Sequence, residues 1–306
     1  MNRIESAPTK IILITNYTCN LNCIYCDVKS LHKKYMTVDE LKSMVYDLNK
    51  LGIKQIEIIG GEPFFNPNLI PLLSHCKKLH IETIVHSNSH IVTNFSENSL
   101  KYIDTFITCI NGTSDIHDLI RGIKGNYERT LKTIELMVQL GITVVVDMIL
   151  SRINFEFNYI DHVVSLSEKL NFKINFQKVF EHNLVSCKNN VSIKKLSINE
   201  KQRKECFEYI LTNVKPNLLF NSFEYFQDMI CSGASRFENC YMGKFSCVID
   251  PLGNISKCYK YLRKKENPNG LIMGWNNAIK KIPDSESCYS CEYSSHIEDN
   301  YFYMKN

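Results

Sequence analysis

Seven of the thirteen cysteines in this chain of 306 residues fall into two groups whose spacing suits metal or redox chemistry. Cys19, Cys23 and Cys26 share one short segment, and Cys240, Cys258, Cys288 and Cys291 follow late in the chain. The others, Cys76, Cys109, Cys187, Cys206, Cys231 and Cys247, show no ligand-type spacing among themselves. Thirteen is an odd number and high for a chain that reads as cytoplasmic, so disulfides explain it poorly and metal or redox chemistry explains it better. Three thiolates on one loop can converge on three irons of a [4Fe-4S] cube and leave the fourth iron open to a small molecule. A zinc site from the same three needs a fourth ligand, which the spacing does not name. The four late thiolates suffice to ligate a second [4Fe-4S] centre completely, and a structural zinc is the alternative for them.

These residues need a scaffold, and the hydrophobic pattern describes one. β-rich apolar runs at 11–15, 55–59, 81–86, 105–110, 143–149 and 173–178 read as strands. Between them lie amphipathic segments. In 37–51, Leu41, Met44, Val45, Leu48 and Leu51 recur at helical spacing, Thr37 stands as N-cap with Glu40 completing a capping box, and Gly52 ends the run. The segment 126–140 repeats the pattern with Leu131, Ile134, Met137 and Val138. Strands alternating with helices of this length imply right-handed crossovers and a parallel sheet, an α/β fold of the partial (β/α)6 barrel or open wound type. Sites in such folds lie at the carboxyl ends of strands, and Cys19 to Cys26 directly follow the first one.

After about Val214 the alternation stops, which divides the chain into a core at 1–214 and a smaller cap at 215–306. The cap shows a helix at 222–230 and two short strands, 245–250 and 255–259, joined by Pro251-Leu252-Gly253-Asn254. So little regular apolar pattern calls for a staple, which a metal centre on the four late cysteines supplies. Lys and Arg number 36 against 32 Asp and Glu, a net +4 without a long basic block, so nucleic acid is not implied. The polar N-terminus and the short apolar run at 11–14 match neither a signal peptide nor a membrane span.

The spacing CxxxCxxC, with Tyr25 just before the last cysteine and at the end of the first strand of a βα-repeat protein, resembles the signature of the radical S-adenosylmethionine (radical SAM) superfamily. Gly60-Gly61-Glu62-Pro63 after the second strand resembles that family's GGEP segment. The resemblance implies that its glycines and backbone receive the methionine amino group, with Glu62 as carboxylate partner. The chemistry agrees, since an ammonium needs acceptors and paired glycines allow close approach of backbone. His86-Ser87-Asn88 after the third strand, and Cys109-Ile110-Asn111-Gly112 with His117-Asp118 and Arg121-Gly122 after the fourth, look like the segments that hold the nucleoside and the methionine carboxylate. Asn88 and Arg121 carry those roles over. Cys109 and Asn111 stand where the family has Ser and Asp. Cys240, Cys258, Cys288 and Cys291, with the Asp250-to-Ile255 turn before the second of them, resemble the Twitch domain, a shortened relative of the SPASM domain.

The resemblance implies two [4Fe-4S] clusters, and S-adenosylmethionine cleaved to a 5′-deoxyadenosyl radical that takes a hydrogen atom from the substrate. It also implies an electron donor such as flavodoxin or ferredoxin. In related epimerases a cysteine returns a hydrogen atom from the opposite face, and Cys247 on the hairpin strand is the candidate here, with Cys231 a weaker one. The competing reading of Cys247 is a small buried hydrophobe. Three functions follow: an oxidoreductase or epimerase of small molecules or carbohydrates, resembling the aminocyclitol dehydrogenases, is the first expectation. A maturase or epimerase of a ribosomally made peptide is the second; a first strand beginning at Ile11 argues against it by leaving no room for a winged-helix leader-binding module. A non-enzymatic zinc protein is the third.

Overall fold

The computed structural model describes residues 8–28, 31, 33–180, 191–237, 240–283 and 290–305. Six strands run parallel in chain order: β1 (Lys10–Ile14), β2 (Gln55–Ile59), β3 (Glu82–His86), β4 (Thr105–Cys109), β5 (Thr143–Leu150) and β6 (Lys173–Lys178). All six match expected strands within a residue or two, and each lies beside the next in sequence. That arrangement requires a helical crossover between neighbours and curls the sheet into a partial (β/α)6 barrel. The crossover helix Val38–Lys50 starts on the expected capping box, Thr37 and Glu40 each accepting from the other's backbone N–H, and buries Leu41, Met44, Val45 and Leu48. Each such side chain contributes about 1.5–3 kcal/mol of burial, which fixes the helix against the sheet.

The later strands are β7 (Ser235–Arg236), β8 (Ser246–Ile249), β9 (Ile255–Ser256) and β10 (Ser290–Cys291). The predicted hairpin exists, with β8 antiparallel to β9. A tertiary pairing was not visible in the sequence: β8 also hydrogen-bonds to β1 in parallel, Lys10 facing Ser246 and Ile12 facing Val248. The main sheet therefore has eight strands in the order β6-β5-β4-β3-β2-β1-β8-β9, and residues after 215 supply two of them.

Side chains alternate across the sheet. Ile11, Leu13, Ile58, Val85, Phe106, Val146 and Phe176 point into the main core with the helices. Ile12, Ile14 and Val248 point the other way, into a second apolar cluster with Tyr17, Met242, Cys258 and Tyr259. This inner face also holds Lys10, Glu57, Asp147, Asn175 and Gln177, all buried. The helix Ser294–Lys305 lies along it and joins the edge strand β6 to β1 and β8. Asp299 accepts from Lys10 on β1 and from Ser246 on β8, and Ser294 donates to Gln177 on β6. No helix among the described residues is long and apolar enough to cross a membrane.

Candidate active site

Four loops at the carboxyl ends of β1 to β4 meet, and backbone bonds set their spacing. The loop bearing Cys19, Cys23 and Cys26 is held on one side by the GGEP segment: Gly61 N donates to Asn16 O at 2.9 Å and Glu62 N to Thr18 O at 2.7 Å. A Cβ on Gly61 would overlap the Thr18 carbonyl, so glycine is required by the approach of two backbones. On the other side, Asn22 N and Ile24 N donate to the carbonyls of Arg121 and Ile120 at 3.2 and 3.0 Å, at the end of the helix Ser114–Arg121. Gly122, at φ +69°, lets the chain leave that helix where any side chain would strike Asn22.

Held this way, the three thiols act on one another. Burial raises the pKa of Cys19, and Glu62 and Cys23 add to the rise. Cys26 keeps solvent contact on one side, yet burial on the other and the Cys23 and Cys19 thiols push it up to about 11. All are free of disulfides. Asn88 Nδ2 reaches Cys19 Sγ at 3.6 Å and Asn20 Oδ1 at 2.8 Å, tying the β3 loop to the cysteine loop. Among the described residues no three His, Cys, Asp or Glu side chains converge as a single ion would require. A four-iron cube, with each thiolate on its own iron, asks for a wider spread.

Glu62 is fully buried and accepts from Phe64 N (3.1 Å), Ser87 Oγ (3.0 Å) and Asn88 N (2.7 Å). Burial outweighs these bonds and raises its pKa to about 7. Its immediate task is thus to tie the GGEP segment to the β3 loop. Around β4, His117 accepts from Asn111 N at Nδ1 and bonds Asn126 Oδ1 through Nε2, while Asn126 Nδ2 donates to Asn88 O. Burial and the nearby Arg121 lower His117 to about 4, which fixes it as a neutral imidazole donating from Nε2.

Two donors here have no acceptor. Arg121 is 6% exposed, its Nη1 is 3.5 Å from the Tyr25 hydroxyl, and its buried Nε is unpartnered; Asn111 Nδ2 is unpartnered as well. Burial opposes the Arg121 charge, but the Cys23, Cys109 and Tyr25 side chains around it outweigh that and hold its pKa above the ordinary value. Such orphaned donors are costly, about 1–3 kcal/mol each, unless an anion completes them. A carboxylate-bearing ligand beside an iron–sulfur cluster fits the residues present.

The late cysteines are placed unevenly. Cys240 and Cys258 join the inner apolar cluster, which also takes in Cys19 and Tyr293. Cys291 sits on β10 opposite Ser235, at the margin of the main core and two residues from Tyr293. Cys288 lies outside the described residues. Cys247 is fully buried, but it faces Ile11 and the helical core, on the side of the sheet away from the cysteine loop. The structure therefore does not bring Cys247 to the site, and Cys231 is exposed at the end of the helix Phe223–Cys231.

Sequence reasoning passed over the charged inner face, where Lys10 bonds Glu57 at 2.8 Å and Asp299 at 3.0 Å and His86 bonds Glu57 at 2.8 Å. Its signal was present: a carboxylate at the centre of the apolar run Gln-Ile-Glu-Ile-Ile, and another in Thr-Val-Val-Val-Asp-Met-Ile-Leu. A charge amid buried strand residues demands a partner.

A partial barrel with a three-cysteine loop after its first strand defines the class, and the family model described as the Radical SAM superfamily matches residues 13–165. The chain belongs to the radical SAM superfamily. It is similar to the mycofactocin maturase MftC of Mycolicibacterium smegmatis, 20% identical over 95% of this chain and 76% of that one. It is also similar to the antilisterial bacteriocin subtilosin biosynthesis protein AlbA of Bacillus subtilis, 27% identical over 79% of this chain and 53% of that one. Among solved structures, Streptococcus suis SuiB bound to S-adenosylmethionine superposes with a TM-score of 0.67 at 16% identity, over 87% of this chain and 64% of SuiB. SuiB bound to its precursor peptide SuiA gives 0.65 at 17% identity, over 88% and 65%. The chain thus spans just under two thirds of the length of SuiB in those two structures. Membership makes the protein a radical SAM enzyme, with S-adenosylmethionine and a [4Fe-4S] cluster as its cofactors.

Proposed function

We propose that the protein modifies a polypeptide by hydrogen-atom abstraction, with Cys19, Cys23 and Cys26 as ligands of the S-adenosylmethionine-binding cluster. The observation that carries this reading is the match to a named maturase over 95% of the chain, cap included. It favours the second of the functions expected from sequence over the small-molecule oxidoreductase or epimerase. When bound, the cluster and S-adenosylmethionine supply the abstraction.

The residues around them bind and orient. Arg121 Nε and Asn111 Nδ2 offer their unused hydrogens to the methionine carboxylate. The Gly60-Gly61 backbone would supply carbonyl acceptors to the ammonium, and Glu62, through Phe64, Ser87 and Asn88, keeps that segment in shape, with Pro63 opening the turn that follows. Asn88 bonds to the cysteine loop and would serve to hold the nucleoside, and Tyr25 lies against Arg121. The inner apolar cluster excludes water from the face where substrate meets cofactor. Cys240, Cys258, Cys288 and Cys291 are proposed to hold a second [4Fe-4S] cluster in a cap comprising 215–306, which would supply electron transfer, and a donor such as flavodoxin or ferredoxin would reduce the enzyme.

The test is anaerobic reconstitution followed by reduction with S-adenosylmethionine and peptides encoded near the gene, reading iron content, 5′-deoxyadenosine and peptide mass. The expected result is about eight irons per chain, falling to about four when Cys19, Cys23 and Cys26 are all Ala. A mass change in one peptide should be lost in Cys23→Ala. Turnover of a small metabolite with every peptide untouched would overturn the reading.

A further inference from the structure

Two solvent-filled hollows flank the turn that joins β8 and β9. One, of about 400 Å³, is lined by Tyr17 and Leu31 of the cysteine loop's two flanks and by Leu262, Arg263, Lys264 and Lys265. The other, of about 390 Å³, is lined by Lys33, Lys34, Tyr35, Glu40, Pro251 and Leu252, among others. Asp250 and Asn254 border the first, and Pro251 and Leu252 the second, so the hollows adjoin across one turn. Together they make a groove with Leu31, Lys33, Lys34 and Tyr35 on one side and residues of the β8–β9 turn and 262–267 on the other.

The groove is cationic. Lys33, Lys34, Arg263 and Lys265 are exposed and make no ion pair among the described residues, whereas Lys264 pairs with Glu266 at 3.6 Å. Two carboxylates offset part of this charge: Glu40 in the second hollow, and Asp250, which the turn holds in place, Oδ1 accepting from Leu252 N and Asn254 N and Oδ2 from Asn254 Nδ2 at 2.8–2.9 Å. From Lys257 to Glu266 five cations meet one carboxylate, and the resulting +4 equals the net charge of the whole chain. A local excess of positive charge therefore lies beside Cys258 and this groove.

We propose that the groove binds an extended, acidic segment of the polypeptide substrate, lying outside the residue that is modified. This rests on the peptide reading above and adds where, and by what chemistry, the peptide is held. Two hollows that border one turn suit an extended chain that crosses it. Cations spread along exposed stems suit several separate carboxylates and do not form the convergent cage that one small anion would need. Tyr17 lies two residues before Cys19, so a chain held here leads towards the cofactor site. Exposed charges steer and select but are screened by salt, so the interaction is one of specificity and on-rate.

The test uses the reconstituted full chain and fluorescein-labelled octapeptides alternating Ser with Glu, Gln or Lys, read by anisotropy. Only the Glu peptide should bind, weakening about tenfold between about 0.05 and 0.3 M salt. Binding should vanish in the fourfold variant Lys33→Glu, Lys34→Glu, Arg263→Glu, Lys265→Glu, while peptide-free cleavage of S-adenosylmethionine stays within about twofold. Equal binding of the Gln peptide, or normal binding by the variant, would overturn the inference and leave the peptide reading intact. No binding of the Glu peptide, with slower cluster reduction by an acidic flavodoxin in the variant, would overturn it by making the surface a reductant dock. Failure of the peptide reading is recorded separately, by turnover of a small metabolite in the assay above.

Discussion

Lys10 Nζ and Asp299 Oδ1 lie 3.0 Å apart across almost the full length of the chain, joining the first strand to the last helix inside the inner face of the sheet. Glu57 takes the other side of the ammonium at 2.8 Å. Burial alone would discharge Lys10, but the two carboxylates outweigh it and hold its pKa above the ordinary range. Glu57 is held below its ordinary range for the matching reason: burial acts to raise it, and Lys10 and His86 prevail. Removing the cation leaves two buried carboxylates facing each other. Lys10→Met is therefore expected to cost about 3–5 kcal/mol in denaturant unfolding, whereas Asp299→Asn, which leaves the Lys10–Glu57 pair, costs about 1–3 kcal/mol. Equal costs would mean that the Lys10–Glu57 pair adds nothing once Asp299 is neutralised.

Glu62 gives a pH signature of opposite sign to an ordinary ion-paired carboxylate. Its folded pKa of about 7 exceeds that of an unfolded glutamate, so between those values the folded state holds the extra proton. Stability from this group is complete at low pH and falls as pH rises through about 7. Relative to Glu62→Gln, the cofactor-free wild type should lose about 2–3 kcal/mol between pH 5 and pH 8. Parallel stability curves for the two proteins would show that Glu62 is ionised throughout.

Gly61 and Gly141 separate two kinds of glycine. At Gly141, φ is +75° with nothing within 4 Å of an added Cβ, so Gly141→Ala should cost only the conformational strain, about 1–2 kcal/mol. At Gly61 the added methyl meets the Thr18 carbonyl and parts the GGEP segment from the cysteine loop. Gly61→Ala should cost more in thermal unfolding and also lower iron uptake on reconstitution, which Gly141→Ala should leave unchanged.

Cys247 offers a clean test of the hydrogen-donor role expected from sequence. Because it packs among helix-facing core residues, in register with Ile11, Cys247→Ala should lower stability by about 1–2 kcal/mol and leave product formation within about threefold of wild type. Loss of product with continued 5′-deoxyadenosine release would restore it as donor.

Local patterns carried much of this protein into view. The six parallel strands, the capping box at Thr37 and Glu40, the hairpin at the Asp250 turn and the three-cysteine loop were all legible, because each depends on residues close in sequence: side-chain period, cap chemistry, turn chemistry and ligand spacing. The two-sidedness of the sheet was not. Whether Cys247 faces cofactor or core depends on β8 adding to β1, a pairing between segments more than two hundred residues apart. One register step would exchange its face with that of Val248. The orphaned Nε of Arg121, the enclosure of Glu62, the Lys10–Glu57–Asp299 cluster and the cationic groove likewise arise where distant segments meet. Sequence determined which groups the chain possesses and which loops carry them. Tertiary structure alone decided their burial, partners and charge, since desolvation and ion pairing are set by the surroundings that packing creates.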